Sequence, residues 1–519
     1  MRRHFFILVL LSEAIAIASS AFAGGPGELP GGRARTFTLD QAILTALQRN
    51  PDILRGKQEI ERTKGVILEI RAQALPHINA GATFQWTDPN LGSGSSFTTT
   101  GPGITPTPAA ILAPSPAPGN VEGETGPTQS TSTSNLQQTD KSYSLSITGT
   151  QLVFNGTTLP ATRGAFFQRD SAYFAFRNVL DQVISTVKTQ FYQVVVNKAL
   201  IGVQEESVHL LESQLKDQQN RFEAGTVPRF NVLQAQVALS NQIPQLITAR
   251  NNYRISQLTL AKTLGLDFDP RRGDNPPLEV IGEMPYNPRS ISLTAAIELG
   301  KERRPFLKQA RANVLNQIEQ VHVALGGFLP TINASGGYDW ISSPFNDNIR
   351  DINKGWVFGL VGNWAIWDSG ETYGRVKQQR ALLSEAKITY DDDVRQVELE
   401  VQQAYSNLQQ NRELIQSQEK NVEQADEALR LAKARLDAGA GTQLEVLNAQ
   451  VQLITAESTR LQALFGYNSS LAEFDRVTGT ESVYTESFNG FAPRAIRSKI
   501  YDTGGGTTAA DKRRENSSK

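Results

Sequence analysis

Residues 221–237 read Arg-Phe-Glu-Ala-Gly-Thr-Val-Pro-Arg-Phe-Asn-Val-Leu-Gln-Ala-Gln-Val, and residues 435–451 read Arg-Leu-Asp-Ala-Gly-Ala-Gly-Thr-Gln-Leu-Glu-Val-Leu-Asn-Ala-Gln-Val. One turn between two amphipathic segments is written twice, at an offset of 214 (Arg221 to Arg435). The match runs outward from Leu180–Gly265 against Val394–Gly479, with Tyr253 meeting Tyr467. A second block repeats at an offset of 254: Leu39, Ala42, Ile43, Pro51, Leu75, Pro76, Ile78, Ala80 and Trp86 meet Leu293, Ala296, Ile297, Pro305, Leu329, Pro330, Ile332, Ala334 and Trp340. The two offsets differ by 40, so the first copy holds about that many extra residues between Trp86 and Leu180. Gly92–Thr139, a run of Gly, Ser, Thr and Pro that cannot pack, supplies them as a long exposed loop over about 91–140. The chain is a duplication of one structural unit.

The segments before each repeated turn carry a strict seven-residue pattern. In the first copy the leading position is Leu180, Val187, Val194, Ile201, Val208, Leu215 and Phe222; in the second it is Val394, Val401, Leu408, Ile415, Val422, Leu429 and Leu436. The companion position is mixed, and its amides repeat in register: Asn197 with Asn411, Gln204 with Gln418. A period of seven means packing against neighbouring helices with a left-handed supercoil. Amides in that seam suit a helical wall with a wet side. Long helices are predicted at about 157–223 and 370–438, each roughly 100 Å at 1.5 Å per residue. Return helices follow at about 229–264 and 442–477. Shorter helices open each copy, the first starting at Thr38-Leu39-Asp40 and stopping near Asn50-Pro51, since a residue before Pro is pushed out of helix.

Between short and long helices the period changes to two. Ile78, Ala80, Ala82, Phe84 and Trp86 alternate with polar or small residues, as do Tyr143, Leu145 and Ile147, then Ile332, Ala334, Tyr338 and Trp340. Trp356, Phe358, Leu360, Trp364 and Ile366 form a fourth apolar row. Strands are predicted at about 77–87, 141–154, 331–340 and 355–367. Aromatics at their ends (Trp86, Phe154, Trp340, Trp356, Trp367) match the lipid-facing signature of an outer-membrane barrel with interfacial girdles. A single amphipathic strand would equally serve a soluble sheet with one wet face; four matched strands on an exported chain favour the membrane. Four strands cannot close a barrel, and lipid does not tolerate an open edge. Two chains would give eight strands, too narrow for an open pore, and three would give twelve, so a homotrimer is expected.

Export is read from the start of the chain. Met1-Arg2-Arg3, an apolar run from Phe5 to Ile17 and Ala21-Phe22-Ala23 form a signal peptide, 1–23. The remaining division is a first repeat over 24–266, a Pro-rich connector over 267–290, a second repeat over 291–480 and a tail over 481–519. No cysteine is present, which excludes disulfides, thiolate metal sites and a lipidated N-terminal Cys. The four His residues, His4, His77, His209 and His322, have no ligand spacing. Net charge of −1 gives no support for nucleic acid as a partner. No catalytic constellation, cofactor or metal site is expected, and the Asp391-Asp392-Asp393 run reads as a solvated face.

At the repeated turns, Gly225-Thr226-Val227-Pro228 and Gly439-Ala440-Gly441-Thr442, glycine suits the residue just past a helix. Thr442-Gln443-Leu444-Glu445 reads as a capping box; in the other copy Pro228 suits the first helical position and Asn231 replaces the box carboxylate. The chain resembles the TolC family of outer membrane factors, the outer membrane efflux proteins. The resemblance rests on Leu39-Asp40-Gln41-Ala42 followed by Asn50-Pro51, and on the doubled Arg-[Phe/Leu]-x-Ala-Gly then Val-Leu-x-Ala-Gln, and covers about residues 36–480. It implies a mixed α/β membrane protein: a shared twelve-stranded outer-membrane β-barrel, four strands per chain, continuous with a periplasmic α-helical barrel. The implied role is the passive channel of a tripartite efflux or type I secretion system, docking a periplasmic adaptor that connects to an inner-membrane transporter. By that resemblance Arg221, Gly225, Thr226, Arg435, Gly439 and Ala440 fall at adaptor-contacting tips. Asn231, Gln234, Glu445 and Asn448 fall at the periplasmic aperture, with one acidic ring of Glu445 where the family often has two. Glu445 as a cap facing its own backbone is an equal alternative. A coiled-coil scaffold or surface adhesin is the competing class, and it needs no lipid belt. The cargo is not written in the sequence.

Overall fold

A computed structural model describes residues 35–86, 141–266, 278–289, 291–342, 352–480 and 484. The signal peptide, the loop at 91–140, positions 267–277 and 290 of the connector and all of the tail except Tyr484 lie outside the described residues. The elements run β1 (Arg35–Phe37), α1 (Leu39–Arg49), α2 (Pro51–Ala72), β2 (His77–Trp86), β3 (Lys141–Asn155), α3 (Thr158–Glu223) and α4 (Arg229–Thr263). The second half follows as β4 (Leu278–Val280), α5 (Leu293–Arg303), α6 (Pro305–Gly326), β5 (Thr331–Ser342), β6 (Asn353–Asn363), α7 (Glu371–Asp437) and α8 (Gln443–Thr478). The chain divides into two compact units that cut across the duplication. One comprises Met1–Ile60, Ser171–Ala310 and Tyr390–Lys519, the other Glu61–Asp170 and Arg311–Thr389. Each copy therefore contributes to both.

The second unit holds an antiparallel sheet in the order β2-β3-β5-β6. Its register builds one apolar face from four separate alternations. Phe84 pairs with Tyr143, Ala80 with Ile147, Leu145 with Trp340 and Tyr338 with Trp356. Tyr338 packs edge-on against Trp356, with ring centroids 5.1 Å apart, and Trp356 stacks on Phe358. That face is bare: Ile78, Trp356, Phe358 and Leu360 are all exposed. The fourth strand is shorter than its apolar row suggests. It stops at Asn363, because the Trp364 indole Nε1 donates to the Phe328 carbonyl at 3.1 Å and the chain leaves the ladder. Asp368 then accepts from the amides of Gly370 and Thr372, at 3.0 and 2.8 Å, and opens α7. Trp364, Ile366 and Trp367 therefore follow the strand rather than ending it.

The first unit is helical. In α7, Val397, Val401, Ala404, Ile415, Ala425 and Leu429 are buried at heptad positions, and Leu408, Asn411, Gln418 and Val422 between them are half-buried. The first copy behaves alike from Leu180 to Gln218. Several amides of the mixed row are satisfied across the hairpins. Asn197 Nδ2 donates to the Asn252 carbonyl of α4 at 3.2 Å, Gln242 donates to Gln204, and Asn411 Nδ2 donates to Ser470 Oγ of α8 at 2.8 Å. The main core joins α1 to α3 and α4, with Ile43, Phe176, Leu180, Ile184, Phe191 and Leu260 fully buried. Beside it β1 and β4 pair in parallel, Phe37 opposite Val280. Among the described residues no helix is long and apolar enough to cross a membrane.

Candidate functional site: hairpin tips and sheet face

Both helical hairpins turn through the same backbone device. Gly225 has φ +73° and Gly439 φ +71°, conformations that a Cβ disfavours. The Gly225 amide donates to the Phe222 carbonyl and the Thr226 amide to the Arg221 carbonyl, both at 2.9 Å. In the second copy the Gly439 amide donates to Leu436 at 3.0 Å and the Ala440 amide to Arg435 at 2.9 Å. These are paired Schellman closures, which satisfy the last carbonyls of α3 and α7. Thr226 adds its hydroxyl to the Arg221 carbonyl at 2.8 Å.

The arginines that precede these turns have different partners. Arg221 Nε lies 2.9 Å from Asp217 on its own helix, and its Nη2 lies 3.6 Å from Asp437 at the end of α7, so it links the two tips. Arg435 Nη2 donates to the Ala440 carbonyl of its own turn at 3.3 Å, and its Nη1 lies 3.6 Å from Glu445. Both pairs are largely solvent-exposed and of small energetic weight. The return helices also start differently. Thr442 accepts from the Glu445 amide at 3.3 Å, but the Glu445 carboxylate turns to Arg435, so only half of a capping box forms. Pro228 is the residue before α4 rather than its first residue and makes no side-chain cap, while the Asn231 amide donates to the Pro228 carbonyl at 3.0 Å.

Of the four aperture candidates, Asn448 is exposed, and Asn231, Gln234 and Glu445 are half-buried. Among the described residues no side-chain hydrogen bond joins Asn231 or Gln234 to Glu445 or Asn448. Behind the tips lies a polar seam that the heptad pattern does not reveal. Gln218 Nε2 donates to Gln443 Oε1 at 3.3 Å, across the two copies, with both residues buried. Gln218 Oε1, Gln443 Nε2 and both amide atoms of Gln450 have no hydrogen-bond partner among the described residues. Gln218 falls on the mixed heptad row, which marks it as seam-facing; nothing in the sequence marks Gln450, whose counterpart Gln236 is exposed. The described residues contain no group of His, Cys, Asp and Glu able to hold a metal ion.

A four-stranded sheet with one bare apolar face, together with two long capped helical hairpins from a duplicated chain, defines a channel-type outer-membrane protein. The sequence profile of the outer membrane efflux protein family matches residues 42–266 and 296–480, and the chain belongs to that family. It is 24% identical over 314 residues to nodulation protein T of Rhizobium leguminosarum bv. trifolii, covering 59% of this chain and 63% of that protein. It is 23% identical over 321 residues to the outer membrane efflux protein BepC of Brucella suis biovar 1, covering 60% of this chain and 67% of that one. The chain thus spans about two thirds of the length of these relatives. Its fold is that of the Campylobacter jejuni CmeC outer membrane channel, with a TM-score of 0.69 at 15% identity over 88% of this chain and 90% of that one.

Proposed function

We propose that the protein is the outer-membrane duct of a tripartite efflux or type I secretion system, working as a homotrimer and performing no chemistry of its own. The observation that supports this best is the sheet. Its strands present a continuous apolar face, and among the described residues β2 and β6 each carry a free edge. In hydrocarbon an unpaired edge costs several kcal/mol per exposed backbone group, so the sheet requires further strands. Sister chains supply them with the right twist and face, and three copies make a twelve-stranded barrel wide enough for a pore. A scaffold or adhesin has no use for the apolar face, which in water would form a patch larger than monomeric proteins tolerate.

In this reading the tips, Arg221, Gly225, Thr226, Arg435, Gly439 and Ala440, dock a periplasmic adaptor, and the adaptor connects the duct to an inner-membrane transporter. Asn231, Gln234, Glu445 and Asn448 line the periplasmic aperture. Three Glu445 carboxylates form its one acidic ring, each partly neutralised by Arg435. The test is to fractionate membranes, then measure mass and conductance of detergent-purified protein. Three chains per particle, heat-modifiable migration and single-channel currents in planar bilayers are expected. A monodisperse monomer stable in water without detergent refutes the proposal.

A further inference from the structure

The apolar row of the fourth strand outlasts its ladder. Past Asn363 the chain still carries Trp364, Ile366 and Trp367, and all three are exposed, Ile366 at 82% and Trp367 at 86%. Phe328, whose carbonyl accepts from the Trp364 indole, is exposed beside them. Tyr373, in the first turn of α7, is exposed as well. Side chains of this kind gather where hydrocarbon meets headgroups.

Beyond this belt α7 presents bases. Tyr373, Lys377 and Arg380 are spaced i, i+4 and i+7, so they share one face of the helix. At 1.5 Å per residue Lys377 stands about 6 Å, and Arg380 about 10 Å, further along α7 than Tyr373. The headgroup layer is about 5–7 Å deep on each side of the hydrocarbon, so Lys377 falls within its depth. Helical side chains lean toward the N-terminus, here the end that follows the sheet, so Arg380 reaches back as well. Both cations are exposed, and neither has an ion-pair partner among the described residues. The acids before them in sequence are engaged: Asp368 caps α7 through the Gly370 and Thr372 amides, and Glu371 pairs with Arg375.

The first copy repeats the arrangement at the offset of 214. Val153 and Phe154 are exposed at the end of β3, and Leu159 in the first turn of α3. Arg163, four residues on, is exposed and has no ion-pair partner among the described residues. Leu159 and Arg163 thus correspond to Tyr373 and Lys377. Glu319, which packs against the neighbouring Gly164, is turned to His322. An apolar anchor with a cation one turn further from the hydrocarbon suits a lipid whose headgroup is negative.

We propose that anionic phospholipids of the leaflet nearest the helices bind at this collar. Their phosphates and headgroup charge meet Lys377 and Arg380, and Arg163 in the first copy, while their chains lie along the apolar belt. The proposal rests on the reading of the sheet as a lipid-facing barrel wall and adds a headgroup preference to it.

The full-length protein is reconstituted into phosphatidylcholine vesicles, and brominated phosphatidylglycerol or brominated phosphatidylcholine is titrated in as a quencher of tryptophan fluorescence. Trp364 and Trp367 report on the collar. Trp86, Trp340 and Trp356, toward the other end of the strands, give a background common to all variants. The anionic lipid is expected to associate roughly fivefold more tightly than the zwitterionic one, the factor that one base near an anionic surface supplies. Lys377→Gln combined with Arg380→Gln should abolish the preference. Lys420→Gln, an exposed position near the far end of α7, should keep it. Equal association of the two lipids with the parent protein overturns the proposal, and so does a preference that survives the double substitution. A double variant that loses its subunit association also overturns it, since the cations would then serve a neighbouring copy. Quenching by neither lipid overturns the reading of the sheet itself, and the proposal with it.

Discussion

Replacing a buried glutamine by leucine at the back of the hairpin tips is predicted to stabilise the protein. Gln450 is 2% exposed, and neither its Oε1 nor its Nε2 has a partner among the described residues. A buried amide without hydrogen bonds costs about 1–3 kcal/mol in proteins, and an apolar side chain of similar volume avoids that cost. Gln450→Leu should therefore gain about 1–3 kcal/mol per chain, whereas Gln450→Glu, which buries a charge, should lose at least as much. The duplication supplies the control. Gln236 occupies the same place in the first copy and is exposed, so Gln236→Leu should stay within about 0.5 kcal/mol. Unfolding entropy near 2.1 cal/mol/K per residue gives about 1 kcal/mol/K for 519 residues, so the melting temperature should rise by about 1–3 °C. The assay is thermal loss of helical circular dichroism in detergent at fixed scan rate, with all variants side by side, because outer-membrane assemblies unfold irreversibly. A Gln450→Leu protein that melts below the parent while Gln236→Leu is neutral refutes the reasoning, and would mean that the amide is satisfied by water and belongs to a working polar network.

Three further outcomes follow from named contacts. Burial alone would raise the Glu400 carboxyl, but hydrogen bonds from Gln396 and Arg304 and the charges of Arg304 and Arg476 hold it below its ordinary 4.5. Its contribution is thus present above the unfolded value and lost as pH falls through the lower folded value. Glu400→Gln should be destabilised at neutral pH by an amount that vanishes in acid, and a pH-independent gap in urea melts contradicts this. Gly225→Ala and Gly439→Ala force a Cβ into φ +73° and +71° and should each cost about 1 kcal/mol, read in the same melts; neutral variants would mean the turns relax elsewhere. If Glu445 lines the aperture as proposed, Glu445→Gln should weaken block by divalent cations in planar bilayers, while Arg435→Ala, which frees Glu445 from its partner at 3.6 Å, should strengthen it. Unchanged block in both removes the acidic ring.

How much of this was legible in one dimension depends on whether the signal is local. The duplication, the two alternations and the heptads are each written in consecutive residues, and together they define the class of fold. The end of the fourth strand at Asn363 is not legible in this way, since Trp364 and Ile366 continue the apolar alternation. What stops the ladder is an indole hydrogen bond to Phe328, which is 36 residues away, and the Asp368 cap beyond it. The contacts of the tips were hidden for a related reason. Arg221 with Asp437, and Gln218 with Gln443, join one copy to the other, and no periodicity states which helix of the first copy meets which of the second.

That blindness has a physical origin in the duplication itself. Two identical copies would have interchangeable seams, with nothing to distinguish a hairpin's contact with its twin from its contact with the twin of a neighbouring chain. The copies make different contacts at equivalent positions. Asn50 uses its side chain to cap α2 and to hold the Thr263 carbonyl at 2.8 Å, while its counterpart Arg304 reaches a half-buried carboxylate, Glu400. Arg221 reaches across to Asp437, while its counterpart Arg435 turns back to its own hairpin at Glu445. Gln450 is buried where Gln236 is exposed. Each pair breaks the equivalence of the two repeats, Asn50 and Arg304 by a change of residue, the arginines and glutamines by placing the same residue in different surroundings. Removing such groups, for example Gln450→Leu together with Arg221→Ala, should raise the melting temperature, through the buried amide, and lower the yield of correctly assembled protein on refolding. An increase in both would show that these groups carry no pairing information.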